Sequence, residues 1–347
     1  MLTGYIEGYY GVELSWKERN SIISKLHEAG CNTYFYCPKE DPYHRVNWKD
    51  DYPVGWIEDF REFKSNADRD GIDIIFGISP GASLDLKDFE YLERKIEIFK
   101  ELSIENFCIL FDDIPKEKEQ SSLHKRVLEL CLEKFPNIKL SCVPSQYCKH
   151  MVENSNNNYL AELDKVNMSV PFFWTGNQVI SSNYSDNNVD SWKVLFCEDR
   201  DLIIWDNTFA NDYCVPKIVM QNFDGFFSKD SKKVAGFMLN ASGIELIDLI
   251  AIEILGNTLK ENHKTLEDIL KDRDFPKELI NLSHFFKINI SSSFSDDEKK
   301  DLDFLLWNWN GKIKNIFYPY LHQLNQIFND TDKLEINGLK KRFRVKE

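Results

Sequence analysis

No apolar run in the 347 residues approaches the roughly 20 needed to cross a bilayer as a helix. Basic residues are scarce too: lysine and arginine total 43 against 57 acidic residues, a net charge of -14. That balance argues against nucleic acid or an anionic membrane surface as the main partner, since both require a positive face. The eight cysteines form neither CxxC pairs nor a regular spacing, which argues against structural zinc and a disulfide framework. Cys37, Cys108, Cys142 and Cys197 lie in or beside apolar runs and read as small buried hydrophobes. A glycine-rich phosphate turn is also missing, because Gly8-Tyr9-Tyr10-Gly11 lacks the required spacing. The start Met1-Leu2-Thr3-Gly4-Tyr5 has neither the basic residues nor the apolar core of a signal peptide. A reducing, cytoplasmic setting is therefore expected, and Asn-x-Ser/Thr triplets such as Asn167-Met168-Ser169 read as incidental. The carboxylates have no His or Cys partners at ligand spacing, so neither metal nor cofactor is expected.

What is present is a pair of adjacent aspartates, Asp112 and Asp113, directly after the apolar run Phe107-Cys108-Ile109-Leu110-Phe111. A short, wholly apolar run reads as a strand buried on both faces. Two carboxylates where it emerges are close enough to interact, so one is expected to hold its proton near neutral pH. A carboxylate beside a carboxylic acid is the equipment of glycosidic bond chemistry. A solvated Asp-Asp turn is the plainer alternative, and other segments decide between them.

Up to about residue 258 apolar strand-like runs alternate with amphipathic segments. The strand candidates are Gly4–Glu7, Thr33–Cys37, Ile74–Ile78, the run ending at Phe111, Ile138–Val143, Ser169–Trp174, Leu202–Trp205 and Val234–Leu239. Helical spacing is clear in Ile22, Ile23, Leu26 and Ala29, in Leu92, Ile96, Ile98, Phe99 and Leu102, and in Val127, Leu128, Leu130, Cys131 and Leu132. The regions after the fifth and sixth strands are poorer in helix, and one carries the polar loop 154–158. This size and rhythm predict an α/β fold, a (β/α)8 TIM-type barrel with a C-terminal helical appendage. The expected division is a catalytic barrel over 1–258 and a helical region over 259–347. In such a barrel chemistry sits where strands end. Here those ends are polar: Lys39-Glu40-Asp41, Ser79-Pro80-Gly81, Asp112-Asp113, Ser145-Gln146-Tyr147, Trp174-Thr175-Gly176, Asp206-Asn207 and Asn240-Ala241-Ser242.

Beyond the barrel, Asp296 to Asp330 reads as one or two amphipathic helices carrying Leu302, Leu305, Leu306, Trp309, Ile313 and Ile316, then Tyr318, Tyr320, Leu321, Leu324 and Phe328. Packing onto the barrel and a homodimerisation arm are the two readings of these faces. The basic run Lys340-Lys341-Arg342-Phe343-Arg344 reads as a solvated end.

Taken in order, Gly4-Tyr5-Ile6-Glu7-Gly8-Tyr9-Tyr10-Gly11, the stretch from Asn32 to Arg45, Ile78-Ser79-Pro80-Gly81 and Leu110-Phe111-Asp112-Asp113-Ile114 resemble glycoside hydrolase family 84. Trp174-Thr175-Gly176, Ile204-Trp205-Asp206-Asn207 and Ala210-Asn211-Asp212-Tyr213 continue the resemblance, which covers roughly residues 4 to 258. That family contains protein O-GlcNAcases and related β-N-acetylglucosaminidases. The resemblance implies retaining, substrate-assisted hydrolysis of a β-linked N-acetylglucosamine, without a covalent enzyme adduct. The matching positions make Asp112 the residue that orients and polarises the 2-acetamido N–H, and Asp113 the general acid and then base. In this division ionised Asp112 helps keep Asp113 protonated until the leaving group needs the proton.

The resemblance further implies that Tyr147 hydrogen-bonds the acetamido oxygen and that Trp205 walls its pocket, with Asn207 a polar contact there. It places Asp212 on the outer sugar hydroxyls, Lys39 as a donor to a sugar hydroxyl, and Gly8 where backbone approaches the sugar. His44 is expected to make a structural hydrogen bond, with no catalytic role. The sequence departs from the family after the last strand, where Asn240-Ala241-Ser242 replaces an Asn-Pro-Asn-like run and Ser242 stands where an asparagine meets outer hydroxyls; Asn240 is the alternative contact. Tyr10 is the matching aromatic at the first strand end, while Val12-Glu13-Leu14-Ser15-Trp16 diverges. The implied partner is an N-acetylglucosamine-containing glycan or glycoprotein. A non-hydrolytic sugar-binding protein and a hexosaminidase for free oligosaccharides are the competing readings.

Overall fold

All eight expected strands pair in parallel, each with the next and the last with the first, and close a barrel in the order β1-β2-β3-β4-β5-β6-β7-β8. The computed structural model describes residues 1–118, 120–155, 157–181, 184–196, 200–223, 233–262, 264–329 and 333–346. The strands are β1 (Leu2–Glu7), β2 (Thr33–Tyr36), β3 (Asp73–Ile78), β4 (Asn106–Leu110), β5 (Lys139–Val143), β6 (Phe172–Trp174), β7 (Leu202–Asp206) and β8 (Gly236–Asn240). β6 is shorter than the apolar run predicted, since it begins only after Pro171, which has no N–H to give the ladder.

Among the described residues eight helices accompany the strands: α1 (Trp16–Ala29), α2 (Val54–Arg69), α3 (Phe89–Glu101), α4 (Ser121–Lys134), α5 (Lys149–Glu153), α6 (Tyr159–Leu163), α7 (Asp186–Lys193) and α8 (Glu245–Leu259). The helix-poor stretches after the fifth and sixth strands are confirmed by the shortness of α5, α6 and α7. Ser15 and Glu18 form a reciprocal capping box that starts α1. α1 buries Ile22, Ile23, Leu26 and Ala29, the residues its spacing predicts. α8 is apolar on nearly every side because it lies among other elements, and Gly256 lets α1 approach: a Cβ there would meet the Cβ of Ala29 at 2.7 Å.

Alternation along the strands divides the core in two. Ile6, Phe35, Cys37, Cys108, Leu110, Ile203 and Met238 fill the barrel interior, while Tyr5, Tyr34, Tyr36, Ile109 and Ile204 face the helices. Cys37, Cys108 and Cys142 are free and buried as expected; Cys197 lies outside the described residues. No helix among the described residues is long and apolar enough to cross a membrane.

After α8 follow α9 (Leu266–Asp272), α10 (Lys277–Asn281), α11 (Asp296–Trp307), α12 (Lys314–Asn329) and α13 (Lys333–Arg342). Of the one or two amphipathic helices expected there, the structure has two, α11 and α12, with Asp330 outside the described residues. Leu302, Leu305, Leu306, Tyr320, Leu321 and Leu324 are buried in one apolar cluster shared with the barrel helices. The faces proposed for a dimerisation arm are thus largely covered within the chain.

The basic tail is not a solvated end throughout. Phe343 is only 1% exposed and stacks on Tyr320 at 5.8 Å. Buried Lys217 donates to the carbonyls of Phe343 (2.7 Å) and Ile288 (2.6 Å), and Ile290 and Val345 form a parallel bridge. The physical reason is the apolar residue inside the charged run, together with a buried ammonium that needs carbonyl acceptors.

Candidate active site

The strand parity that fills the barrel also aims the site. Cys108 and Leu110 point inward, and two residues further Asp112 inherits that direction. Ile6 leads in the same way to Gly8, Cys37 to Lys39, Phe173 to Thr175, Trp205 to Asn207 and Met238 to Asn240. All of these line one cavity of about 310 Å³ at the C-terminal ends of the strands, with Tyr10, Asp113, Tyr147, Asp212 and Tyr213. Phe173, Val179, Ile180 and Trp205 supply its apolar wall.

Asp113 has the wrong parity to join them. It does so because its backbone is left-handed (φ 54°), which turns the side chain back over the cleft. The two carboxyls therefore meet around one ammonium. Lys39 Nζ hydrogen-bonds Asp112 Oδ2 and lies 3.9 Å from Asp113 Oδ2. Asp112 Oδ1 is buried and has no hydrogen-bond partner among the described residues. Lys39 is held by its loop, where Asp41 accepts from Tyr36 Oη (2.7 Å), Tyr52 Oη (2.8 Å) and the Tyr43 N–H (2.8 Å). Burial opposes the charge on Lys39, but Asp112 and Asp113 more than offset it and raise its pKa.

Asp113 is the more open acid, with its side chain 32% exposed. Its Oδ2 accepts from Tyr10 Oη at 2.8 Å and its Oδ1 from Tyr147 Oη at 3.1 Å. Arg45 donates to Tyr10 Oη and, at 3.3 Å, to the Asp113 carbonyl. Partial burial works to raise the Asp113 pKa, yet Lys39, Tyr10, Arg45 and Tyr147 outweigh it and hold the group below its usual value. This corrects the expectation that the neighbouring acid keeps Asp113 protonated: the ammonium between the two carboxyls cancels their repulsion.

Trp205 is buried, packs edge-on against Phe35 and Phe173, and donates through Nε1 to Asn207 Oδ1 at 2.9 Å. Asn207 Oδ1 also accepts from Asn240 Nδ2 (2.9 Å), and Asn207 Nδ2 donates to the Val179 carbonyl (2.8 Å). Asn207 thus lines the cleft while its amide is engaged at both ends, setting the indole plane. A Cβ on Gly8 would lie 2.5 Å from Trp205 Cζ2, so the absent side chain makes room first of all for the indole. Asp212 accepts from the Tyr10 N–H at 3.1 Å, which joins the loops after β1 and β7.

Ser242 is the one expected site residue that the structure does not bring to the cleft. β8 ends at Asn240, and Ser242 turns back to donate through N and Oγ to Asp248 Oδ1, both at 2.7 Å. Asn240 stands in the cleft instead, with its Oδ1 accepting from the Gly8 N–H at 3.1 Å. His44 makes the structural bond expected of it, with Nδ1 3.0 Å from the Gly77 carbonyl, and burial pushes its pKa down to about 3. Arg45 and Tyr213 join the site without being marked as site residues by the sequence. Parity identifies Asn240, but nothing local in the sequence marks Arg45.

The sequence pattern of the β-N-acetylglucosaminidase family matches residues 3–270. The protein O-GlcNAcases of Rattus norvegicus and Mus musculus are each 28% identical over 279 residues, 75% of this chain. The chain spans about 30% of the length of these curated relatives. A closed parallel barrel with paired acids at its mouth and a family match across most of its length place the chain in one group: it belongs to the β-N-acetylglucosaminidases, glycoside hydrolase family 84.

Proposed function

We propose that the chain is a retaining glycosidase that removes O-linked N-acetylglucosamine, or a related 2-acetamido sugar, from protein by substrate-assisted catalysis. The observation that carries this reading is the buried, unpartnered Asp112 Oδ1 beside Asp113 in one cleft. A buried carboxylate oxygen without a donor is costly, and an acetamido N–H would satisfy it. Lys39 hydrogen-bonds the other oxygen, Oδ2, and so fixes the carboxylate's orientation for that task. The apolar wall of Phe173, Ile180 and Trp205 suits the acetamido methyl.

In the first step the acetamido oxygen forms a bond to the anomeric carbon as the glycosidic C–O bond breaks. Asp113 gives its proton to the departing oxygen, and Asp112 stabilises positive charge growing on the amide nitrogen. In the second step Asp113 takes a proton from water as that water attacks the anomeric carbon and breaks its bond to the acetamido oxygen, opening the oxazolinium ring, whose nitrogen keeps its proton throughout. Asp113 must therefore gain a proton before the first step. A sugar seated over it excludes water and draws Tyr147 Oη toward the acetamido oxygen, and both changes raise its pKa.

The test is release of phenol from aryl N-acetyl-β-glucosaminides by wild type, Asp112→Asn and Asp113→Asn. With poor leaving groups each variant loses about 10²- to 10⁴-fold. With strongly activated phenols Asp113→Asn is spared, because they scarcely need protonation. A wild type that binds the sugar and releases no phenol would make the chain a binding protein instead.

A further inference from the structure

Arg344, in the C-terminal region, lies well beyond residue 270, where the family match ends, yet it touches the wall of the cleft. Arg344 places its guanidinium over the ring of Tyr213, 5.2 Å from the centroid. Tyr213 lines the cavity beside Asp212, and its hydroxyl is buried without a hydrogen-bond partner among the described residues.

The backbone at Arg344 is unusual for that residue type. The Val345 N–H bonds the Lys340 carbonyl at 2.9 Å and the Arg344 N–H bonds the Lys341 carbonyl at 3.2 Å. This is a Schellman closure of α13, and it puts Arg344 in the left-handed position (φ 53°) that glycine favours. The turn itself would be served better by glycine. What the arginine side chain adds is the contact with Tyr213. The segment is fastened on both sides of this point. Lys217, a few residues after Tyr213 in the same connection between β7 and β8, donates to the Phe343 carbonyl, and the Lys346 N–H bonds the Ile290 carbonyl at 2.9 Å.

We propose that Arg344 is a positioning residue of the glycosidase cleft, through which the C-terminal region fixes the Asp212–Tyr213 wall for sugar binding. This rests on the reading of the cleft as a sugar site. Asp212 and Tyr213 are consecutive, and Asp212 is tied to Tyr10, which donates to Asp113. A Tyr213 ring free to tilt would loosen both the wall and the loop contact to Tyr10.

The informative variant in the full-length chain is Arg344→Gly, because glycine suits the left-handed backbone and only the side chain is lost. We expect its thermal midpoint to be unchanged or higher. Its KM for a nitrophenyl N-acetyl-β-glucosaminide should rise about 3- to 10-fold, with kcat changing less, in line with loss of one cation–π contact. Arg344→Lys, which keeps a cation over the ring, should restore most of the difference. Calorimetry with an N-acetylglucosamine-derived thiazoline should show the same fold-weakening, independent of turnover. An unchanged KM and thiazoline affinity in Arg344→Gly would overturn the inference, as would a weakening that Arg344→Lys fails to rescue. If wild type binds the thiazoline and releases no phenol, the hydrolase reading fails while the affinity comparison still decides on Arg344. If wild type binds no thiazoline, both fall together.

Discussion

The indole of Trp205 occupies the space that a side chain on Gly8 would need, with 2.5 Å separating its Cζ2 from the missing Cβ. Gly8 follows β1 and Trp205 lies in β7, both at inward-facing positions, and Asn207 and Asn240 hold them in register through bonds to Trp205 Nε1 and the Gly8 N–H. Gly8→Ala therefore forces either the indole or the strand end to move. Overpacking of this kind costs about 1–3 kcal/mol, and a displaced wall costs ~10-fold or more in kcat/KM. Combining Gly8→Ala with Trp205→Phe should recover part of the stability loss, because the smaller ring vacates the contested volume. Strict additivity of the two substitutions in unfolding experiments would show that the contact does not set the fit.

A second expectation concerns pH. Tyr10 and Arg45 are among the groups that hold Asp113 below its usual pKa, working with Lys39 against the effect of burial. Removing the Arg45 charge or the Tyr10 hydroxyl lets that pKa rise. If Asp113 supplies the proton, activity is lost as pH climbs through its pKa, so the alkaline limb of kcat/KM should move to higher pH in Arg45→Met and in Tyr10→Phe. pH–rate profiles on a substrate with a poor leaving group measure it directly. A limb that stays in place, or moves to lower pH, would show that Asp113 is not the proton donor in the rate-determining step.

Much of this arrangement is legible in the chain itself. Eight apolar runs and their intervening helical spacings define the barrel, because a strand buried on both faces leaves few other readings. Asp112 is legible as a site residue from its place two positions beyond Leu110. Asp113 is legible only as its neighbour, since its route into the cleft depends on a left-handed backbone that a non-glycine residue does not announce. The place of Ser242 is not legible for a related reason: β8 ends at Asn240, and alternation no longer applies once the chain turns toward Asp248. The tail reads as solvated because charge dominates its composition, whereas its position is decided by Phe343 and by the distant ammonium of Lys217. Pairings across more than a hundred residues leave no local mark.

Asp206 gives a stability prediction of opposite sign to that of an ordinary salt-bridged acid. It follows Trp205 on the outward parity of β7, is fully buried, and accepts from Tyr184 Oη at 2.8 Å and Thr208 Oγ1 at 2.7 Å. Burial raises its pKa to about 6, the two hydroxyl donors offsetting only part of the cost. A group whose pKa is higher in the folded chain than in the unfolded one favours folding most below its unfolded value. That contribution is lost as pH rises through the folded value. Between about pH 4 and pH 6 the folded chain therefore gains stability from Asp206 as the pH falls, by an amount on the order of 3 kcal/mol. Asp206→Asn retains an oxygen for Tyr184 and Thr208 and removes the titration. Relative to wild type, the variant should gain stability at pH 7 and lose that advantage toward pH 4. Denaturant unfolding of both proteins across this range measures the difference, and parallel stability curves would mean that Asp206 titrates alike in the folded and unfolded chains.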